Sequence, residues 1–337
     1  MFHVCTCEIS LPAYFFHKSR RIFGWCKYFP KKITNFTKTK IKAVVVIKLQ
    51  GGLGNQLFQY AFGKAAARRL NTVFRLETSF YEQPRAASVA NREYALPMFQ
   101  VPNLAANGGE LKIVCGVFAP WYVTQNRTAT RLRKALSQRV GLPNYVAEPH
   151  FEYADLVLQD GCFYEGYWQS PRYFATIADD LRADLQFKTQ RSTRAEALLR
   201  QIQNGNSVCL HVRRGDYLQF SNYEILPLTY YKRAIAHLKS QMPDATIFVF
   251  SDDIAWCLQN LNTDISMVFV ENFVNLRDEF ELMCRCNHYI IANSTLSWWA
   301  AWLGTCPNKM VVAPKRWFAN GQHTNDLMPA EWLQMEC

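Results

Sequence analysis

His211-Val212-Arg213-Arg214-Gly215-Asp216 sets two guanidinium groups, a glycine and a carboxylate directly after an apolar run, residues 207–212. In an open α/β sheet, a strand ending this way delivers its last side chains to the carboxyl edge, where such sheets hold ligands. Paired guanidiniums there want an anion, and the planar fork matches a phosphate through two hydrogen bonds. A surface Arg–Asp turn would carry the same residues, so the reading turns on the company the motif keeps.

Gly51-Gly52-Leu53-Gly54-Asn55-Gln56 joins a β-branched run, residues 43–49, to a helix predicted over 56–70 with Asn55 as its N-cap. Glycines let backbone approach a ligand, and a helix N-terminus favours negative charge. Leu57 stands where the dinucleotide fingerprint needs its third glycine, and the P-loop lysine is absent. A second strand ends in Asp252-Asp253; one carboxylate is expected to grip a nucleoside and the other to cap the next helix. Asn293-Ser294-Thr295-Leu296-Ser297 opens an apolar helix with hydroxyls and free N–H groups suited to a phosphate, or to ordinary capping. Tyr167, Trp168 and Gln169 offer aromatic faces and an amide to a carbohydrate, with core packing the alternative for Trp168. The chain has no Asp-x-Asp triplet to hold a metal-bound diphosphate. Arginines and helix dipoles must then neutralise it, each charge-assisted hydrogen bond contributing ~1.5–3 kcal/mol.

These residues need a frame. Strand 43–49, the glycine loop, helix 56–70 and strand 72–76 form a β-loop-α-β opening. Residues 80–165 are punctuated by Pro84, Pro97, Pro102 and Pro120 and suggest no topology; a helix is predicted over 172–185. Beyond residue 207, predicted strands 207–212, 246–250, 267–270, 289–292 and 310–313 alternate with helices 229–241, 254–261, 276–286 and 294–303. Five apolar strands separated by helices imply a parallel sheet covered on both faces. Two Rossmann-like halves meeting near residue 200 are the natural arrangement.

With 49% hydrophobic and 14% aromatic residues, the 337-residue chain has the composition of a globular enzyme. Its net charge of +11 is concentrated: residues 1–42 hold nine Lys/Arg against Glu8, hence +8, leaving +3 for the rest. A nucleic-acid binder spreads such charge over a folded face, so no nucleic-acid partner is expected. Eleven cysteines without zinc-type spacing or a regular framework fit a reducing cytoplasm. No stretch is apolar enough for a spanning helix. Phe15, Phe16, Ile22, Phe23 and Trp25 lie among the basic residues of the arm. The arm therefore reads as a peripheral anchor at an anionic membrane, or as a start assigned too far upstream.

Taken in order from about residue 43 to 318, the four motifs resemble the α-1,2-fucosyltransferases, glycosyltransferase family 11. Gly166-Tyr167-Trp168-Gln169-Ser170, residues 230–234 and the turn at 314–317 are similar to that family's minor motifs. The resemblance implies an α/β, GT-B-like fold, two Rossmann-like domains whose parallel sheets face across a cleft. It implies an acceptor-side domain at 43–200 and a GDP-sugar domain at 201–337, and the basic extension at 1–42 departs from the family's pattern. It implies inverting, metal-independent transfer from GDP-β-L-fucose to the 2-hydroxyl of a terminal β-galactoside, with no cofactor.

The resemblance also implies roles. Arg213 contacts the donor phosphates and Arg214 braces the loop; His211, Gly52, Gly54 and Asn293 line the donor site. Asp252 or Asp253 recognises the guanosine, and Ser294, Thr295 and Ser297 the diphosphate. Asn55 lies near the reacting sugar, and Tyr167, Trp168 and Gln169 meet the acceptor. Asp216, Glu165, Glu152 and a phosphate oxygen of the leaving diphosphate are the alternatives for the general base.

Overall fold

Val44–Lys48 is a strand because consecutive β-branched residues favour the pleated conformation and find burial on both faces. In this computed structural model the described residues are 44–82, 92–188, 190–219, 224–271, 275–321, 324 and 326–337, without the side chains of Asp216 and Gln219. The basic arm, and the anchor expected of it, lie outside them.

The first half runs β1 (Val44–Lys48), α1 (Leu53–Leu70), β2 (Val73–Glu77), α2 (Gly108–Cys115), α3 (Ala119–Val123), α4 (Arg127–Arg139), β3 (Tyr145–Ala147), β4 (Phe163–Glu165) and α5 (Ala178–Asp184). The second runs α6 (Thr193–Gln203), β5 (Ser207–Val212), α7 (Leu228–Gln241), β6 (Thr246–Ser251), α8 (Ile254–Asn260) and β7 (Met267–Phe269). It closes with α9 (Leu276–Arg285), β8 (His288–Ile290), α10 (Thr295–Leu303), β9 (Val311–Pro314) and β10 (Leu333–Met335). Two sheets result, ordered β2-β1-β4-β3 and β10-β9-β8-β5-β6-β7. Their pairings are parallel throughout. The α/β class with two parallel sheets is therefore as expected.

Three expectations change. Helix α1 begins at Leu53, with Gly52 in the extended N-cap conformation (φ −77°, ψ 179°), so Asn55 sits inside the first turn and does not cap it. The helix predicted over 172–185 is α-helical only at Ala178–Asp184. Pro171–Tyr173 and Ala175–Ile177 ahead of it are short 3-10 turns, the first opened by its proline. The second sheet has a sixth strand, β10, laid on β9.

Each half has a buried cluster of its own, and the two share a third, larger one. The shared cluster runs from Val45 and Ile47 through Leu57 and Phe58 to Trp298, Trp299 and Ala313. Phe58 meets Trp298 at 4.6 Å and Trp299 at 5.1 Å between ring centroids, and Phe174 stacks on Trp299 at 5.4 Å. The α1–α10 crossing is close because position 54 is glycine. A Cβ there would lie 2.5 Å from Thr295 Oγ1 and 2.6 Å from the Leu296 nitrogen. The loops at the carboxyl ends of β1 and β8 thus meet at a single point.

Candidate active site

Strands β5 and β6 run side by side in register, His211 opposite Phe250 and Val212 opposite Ser251, so the residues after each emerge together. Arg213 Nη1 lies 3.0 Å from Asp252 Oδ2. The same carboxylate accepts from the Arg214 backbone N–H at 2.9 Å. Gly215 completes this fit, since a Cβ would stand 2.7 Å from Asp252 Oδ2. Arg214 reaches Asp253 Oδ2 at 3.2 Å and lies over the Trp256 ring, 4.1 Å from its centroid. Asp253 also caps α8, accepting from the Trp256 N–H at 3.1 Å. Asp253 is the helix cap expected of one carboxylate, and Asp252 holds the arginine loop, a role the sequence did not suggest.

A chain of contacts leads from Arg213 to the other half. Its guanidinium is 5.5 Å from the centre of the Tyr217 ring, and the Tyr217 hydroxyl donates to the Asn293 carbonyl at 2.9 Å. Asn293 is buried and donates to the carbonyls of Glu224 and Trp317 at 2.8 and 2.9 Å, pinning the loop that enters α10; its Oδ1 has no hydrogen-bond partner among the described residues. Beyond it, Thr295 Oγ1 donates to Asn55 Oδ1 at 3.1 Å, and Gln169 Nε2 donates to the same oxygen at 2.9 Å. Asn55, Thr295 and Gln169 therefore join three loops at the N-termini of α1 and α10. Both helix ends direct backbone N–H groups toward this point, an environment that stabilises negative charge.

Other expected residues lie under the crevice. His211 is 2% exposed, and burial, with Arg213 adding to it, pushes the imidazole down to about 3. It is a neutral ring beneath the arginine loop, with no charge to offer a phosphate. Ser297 is fully buried and donates to the Ser294 carbonyl at 3.1 Å, a bond internal to α10. Ser294 is the N-cap of α10 and accepts no capping bond, so its hydroxyl is uncommitted there. Gly52 is half-buried at the N-cap of α1. Trp168 is fully buried in a left-handed conformation (φ 56°) and stacks on Phe62 at 4.0 Å, so both its location and its face are taken by the core. Tyr167 beside it is 36% exposed. The Asp216 side chain lies outside the described residues.

Glu165 does not fit a base. It is 1% exposed, accepts from Arg133 at 2.8 and 2.9 Å and from the Tyr145 hydroxyl at 2.5 Å, and stands 3.3 Å from Lys48 Nζ. Burial alone would raise its carboxyl, but Lys48, Tyr145 and Arg133 outweigh it and hold the group below the ordinary carboxylate value. Tyr217, the bridging role of Gln169 and the buried amide of Gln59 were not anticipated. Gln59 accepts from the Gln50 N–H at 3.0 Å and donates to the Gly166 carbonyl at 3.1 Å, tying the glycine loop to the segment carrying Gln169. A further carboxyl, Glu279 on α9, is raised by burial and feels Arg213 and Asp252.

Arg213 and the N-terminus of α10 both offer positive charge to an anionic group, and Asn55 is fixed beside that helix end by Thr295. An alpha-1,2-colitosyltransferase of Escherichia coli is 29% identical over 305 residues, spanning 87% of this chain and 99% of its own. The O-antigen biosynthesis glycosyltransferase WbnK, also of Escherichia coli, is 29% identical across 85% of this chain and 99% of its own. Galactoside alpha-(1,2)-fucosyltransferase 1 of Homo sapiens is 24% identical across 75% of this chain and 63% of its own. The model of the family described as glycosyl transferase family 11 matches residues 144–336, a span holding the arginine motif, both carboxylates and the entry to α10. That match covers more than half of the 337 residues, and the chain belongs to glycosyl transferase family 11.

Proposed function

We propose that this glycosyltransferase moves L-fucose from GDP-β-L-fucose, with inversion and without a metal, to the 2-hydroxyl of a terminal β-galactose on a glycan. The observation that carries the reading is Arg213, oriented by Asp252 at the carboxyl end of β5 and connected through Tyr217 and Asn293 to the N-terminus of α10. Charge that develops on the departing diphosphate falls between a guanidinium and a helix end already in position. Asn55, held by Thr295 and Gln169, sits where the sugar would lie. Residues 43–200 serve as the acceptor side and 201–337 as the GDP-sugar side. With Glu165 engaged elsewhere, Asp216, Glu152 and a phosphate oxygen remain for the proton of the acceptor hydroxyl. The cytoplasm, where a nucleotide sugar is at hand, is the proposed setting; no helix of the described residues is long and apolar enough to cross a membrane.

A second donor is favoured by one finding. The colitosyltransferase is more similar (29%) than the human fucosyltransferase (24%), and colitose is the 3-deoxy counterpart of fucose. The test is GDP release in EDTA, from GDP-fucose and GDP-colitose in parallel, with lactose and then N-acetyllactosamine as acceptor. Fucose-dependent turnover that survives EDTA and falls about a hundredfold in Arg213→Ala is the expected result, as loss of one charge-assisted contact at the transition state implies. Faster release from GDP-colitose would install the second reading. Failure to bind GDP would end both.

A further inference from the structure

Strand β3 ends at Ala147 opposite Glu165, the end of β4, and the ladder runs one step further: the Glu148 N–H donates to the Glu165 carbonyl at 2.9 Å. Glu148 and Gly166 therefore leave the first sheet side by side at its carboxyl edge. Glycine is needed there, because a Cβ on residue 166 would lie 2.5 Å from the Glu148 Cβ and 2.7 Å from Trp168 Cε2. The Glu148 carboxylate takes two successive backbone donors, the Tyr167 N–H on Oε2 at 2.7 Å and the Trp168 N–H on Oε1 at 2.8 Å. Consecutive N–H groups turned to one side form a concavity that receives an anion, and here the anion is the chain's own.

This clamp shapes the residues after it. Trp168 has φ 56°, a left-handed conformation that a bulky residue holds where its surroundings enforce it. The Ser170 N–H donates back to the Trp168 carbonyl at 2.9 Å, so Gln169 stands at the apex of a three-residue turn. Gln169 Nε2 donates to Asn55 Oδ1, the oxygen that also accepts from Thr295. With both donors on that oxygen, the Asn55 amide nitrogen is the end left to donate to a bound sugar. Phe62 stacks on the Trp168 ring and Gln59 holds the Gly166 carbonyl, so the turn keeps its place without Glu148. What the carboxylate adds is the direction of the peptide groups leading into Gln169.

We propose that Glu148 is a positioning residue for sugar transfer: it sets the turn that presents Gln169, and Gln169 sets the Asn55 amide against the transferred sugar. The inference rests on the reaction proposed above, with Asn55 beside the reacting sugar. Glu148 is partly buried and has both oxygens engaged, so it acts through the turn rather than on the substrate.

The experiment measures steady-state turnover of GDP-fucose and GDP-colitose with lactose and N-acetyllactosamine, alongside GDP affinity and melting temperature. Wild type is compared with Glu148→Gln, Gln169→Ala, their double variant and Gln138→Ala. The glutamine keeps the size of Glu148 but sets an amide NH2 against one of the two N–H groups. A fall in kcat of about tenfold is expected for Glu148→Gln, and at least as much for Gln169→Ala, with GDP affinity unchanged. The double variant should be no slower than Gln169→Ala, since one residue acts through the other. Gln138→Ala frees the Pro149 carbonyl next to Glu148 without touching the clamp, and should keep the wild-type kcat. The inference is overturned if Glu148→Gln melts lower yet turns over like wild type per folded molecule, or if the two losses add in the double variant. An equal loss in Gln138→Ala would make Glu148 a mere loop tether and overturn it too. Gln169→Ala at full kcat does the same, whether or not the Glu148 variant folds. A wild type that transfers neither sugar removes the proposed function and this inference together, whereas an active wild type confines any failure to the clamp.

Discussion

Two nitrogens of Arg133 and the hydroxyl of Tyr145 converge on the Glu165 carboxylate, and Lys48 closes the group from β1. Lys48 Nζ also donates to the carbonyls of Tyr122 and Thr124, both at 3.1 Å, and burial lowers its own pKa against the pull of Glu165. Removing the one anion from such a group leaves buried cations uncompensated, which typically costs 3–5 kcal/mol. Glu165→Gln is therefore expected to destabilise the protein by about that much in denaturant unfolding, while turnover per folded molecule is retained. Collapse of turnover with unchanged stability would restore Glu165 as a base. At this scale the sequence was informative about which side chains gather at the ends of adjacent strands, as Arg213 and Asp252 do, though not about their pairing. It was silent on Asn55 and Thr295, which lie 240 positions apart and meet only because two helix ends do. Composition could not separate a catalytic Glu165 from a buried structural one, since its partner Arg133 comes from a helix in the stretch without a readable pattern.

Among the elements, α1 and α10 carry the most consequence. An alanine at position 54 gains about 1 kcal/mol of helix propensity over glycine. Its methyl would enter the space of Thr295 Oγ1 and the Leu296 nitrogen at 2.5 and 2.6 Å, and overpacking of this kind costs about 1–3 kcal/mol. Because the obstacle includes backbone, strain should win. Gly54→Ala is expected to lower the melting temperature and to reduce kcat more than donor affinity, since the Thr295–Asn55 hydrogen bond parts first. A variant as stable and as active as wild type would show that the crossing is looser than described. The strands of the second half were legible because each is a buried apolar run bounded by turns; β5 is buried at every position. Strands β3 and β4 were not, being three residues each and rich in aromatics, with a glutamate ending β4. Helix α4 was missed for a related reason. It has only Arg133 fully buried, so it lacks the apolar stripe that betrays a helix.

For the molecule as a whole, each sheet keeps a buried cluster of its own half and shares a larger one with the other. Phe58 from α1 and Phe174 from the first half stand among Trp298, Trp299 and Trp302 of α10, and Trp298 Nε1 donates to the Leu327 carbonyl at 2.9 Å. Asp326 returns to the first half as well, accepting from Arg172 at 2.8 Å and from the Tyr153 N–H at 3.2 Å. Tryptophan fluorescence and far-ultraviolet circular dichroism should accordingly report one coincident unfolding transition. Two separated transitions would mean that the halves melt independently. The shared aromatic junction also bears on how new specificities could be assembled. Grafting the second half of one relative onto the first half of another transplants α10 without the rings it was shaped against. Such hybrids are expected to express poorly until Phe58 and Phe174 travel with their tryptophans, so that the unit of exchange is the junction and its rings rather than the half.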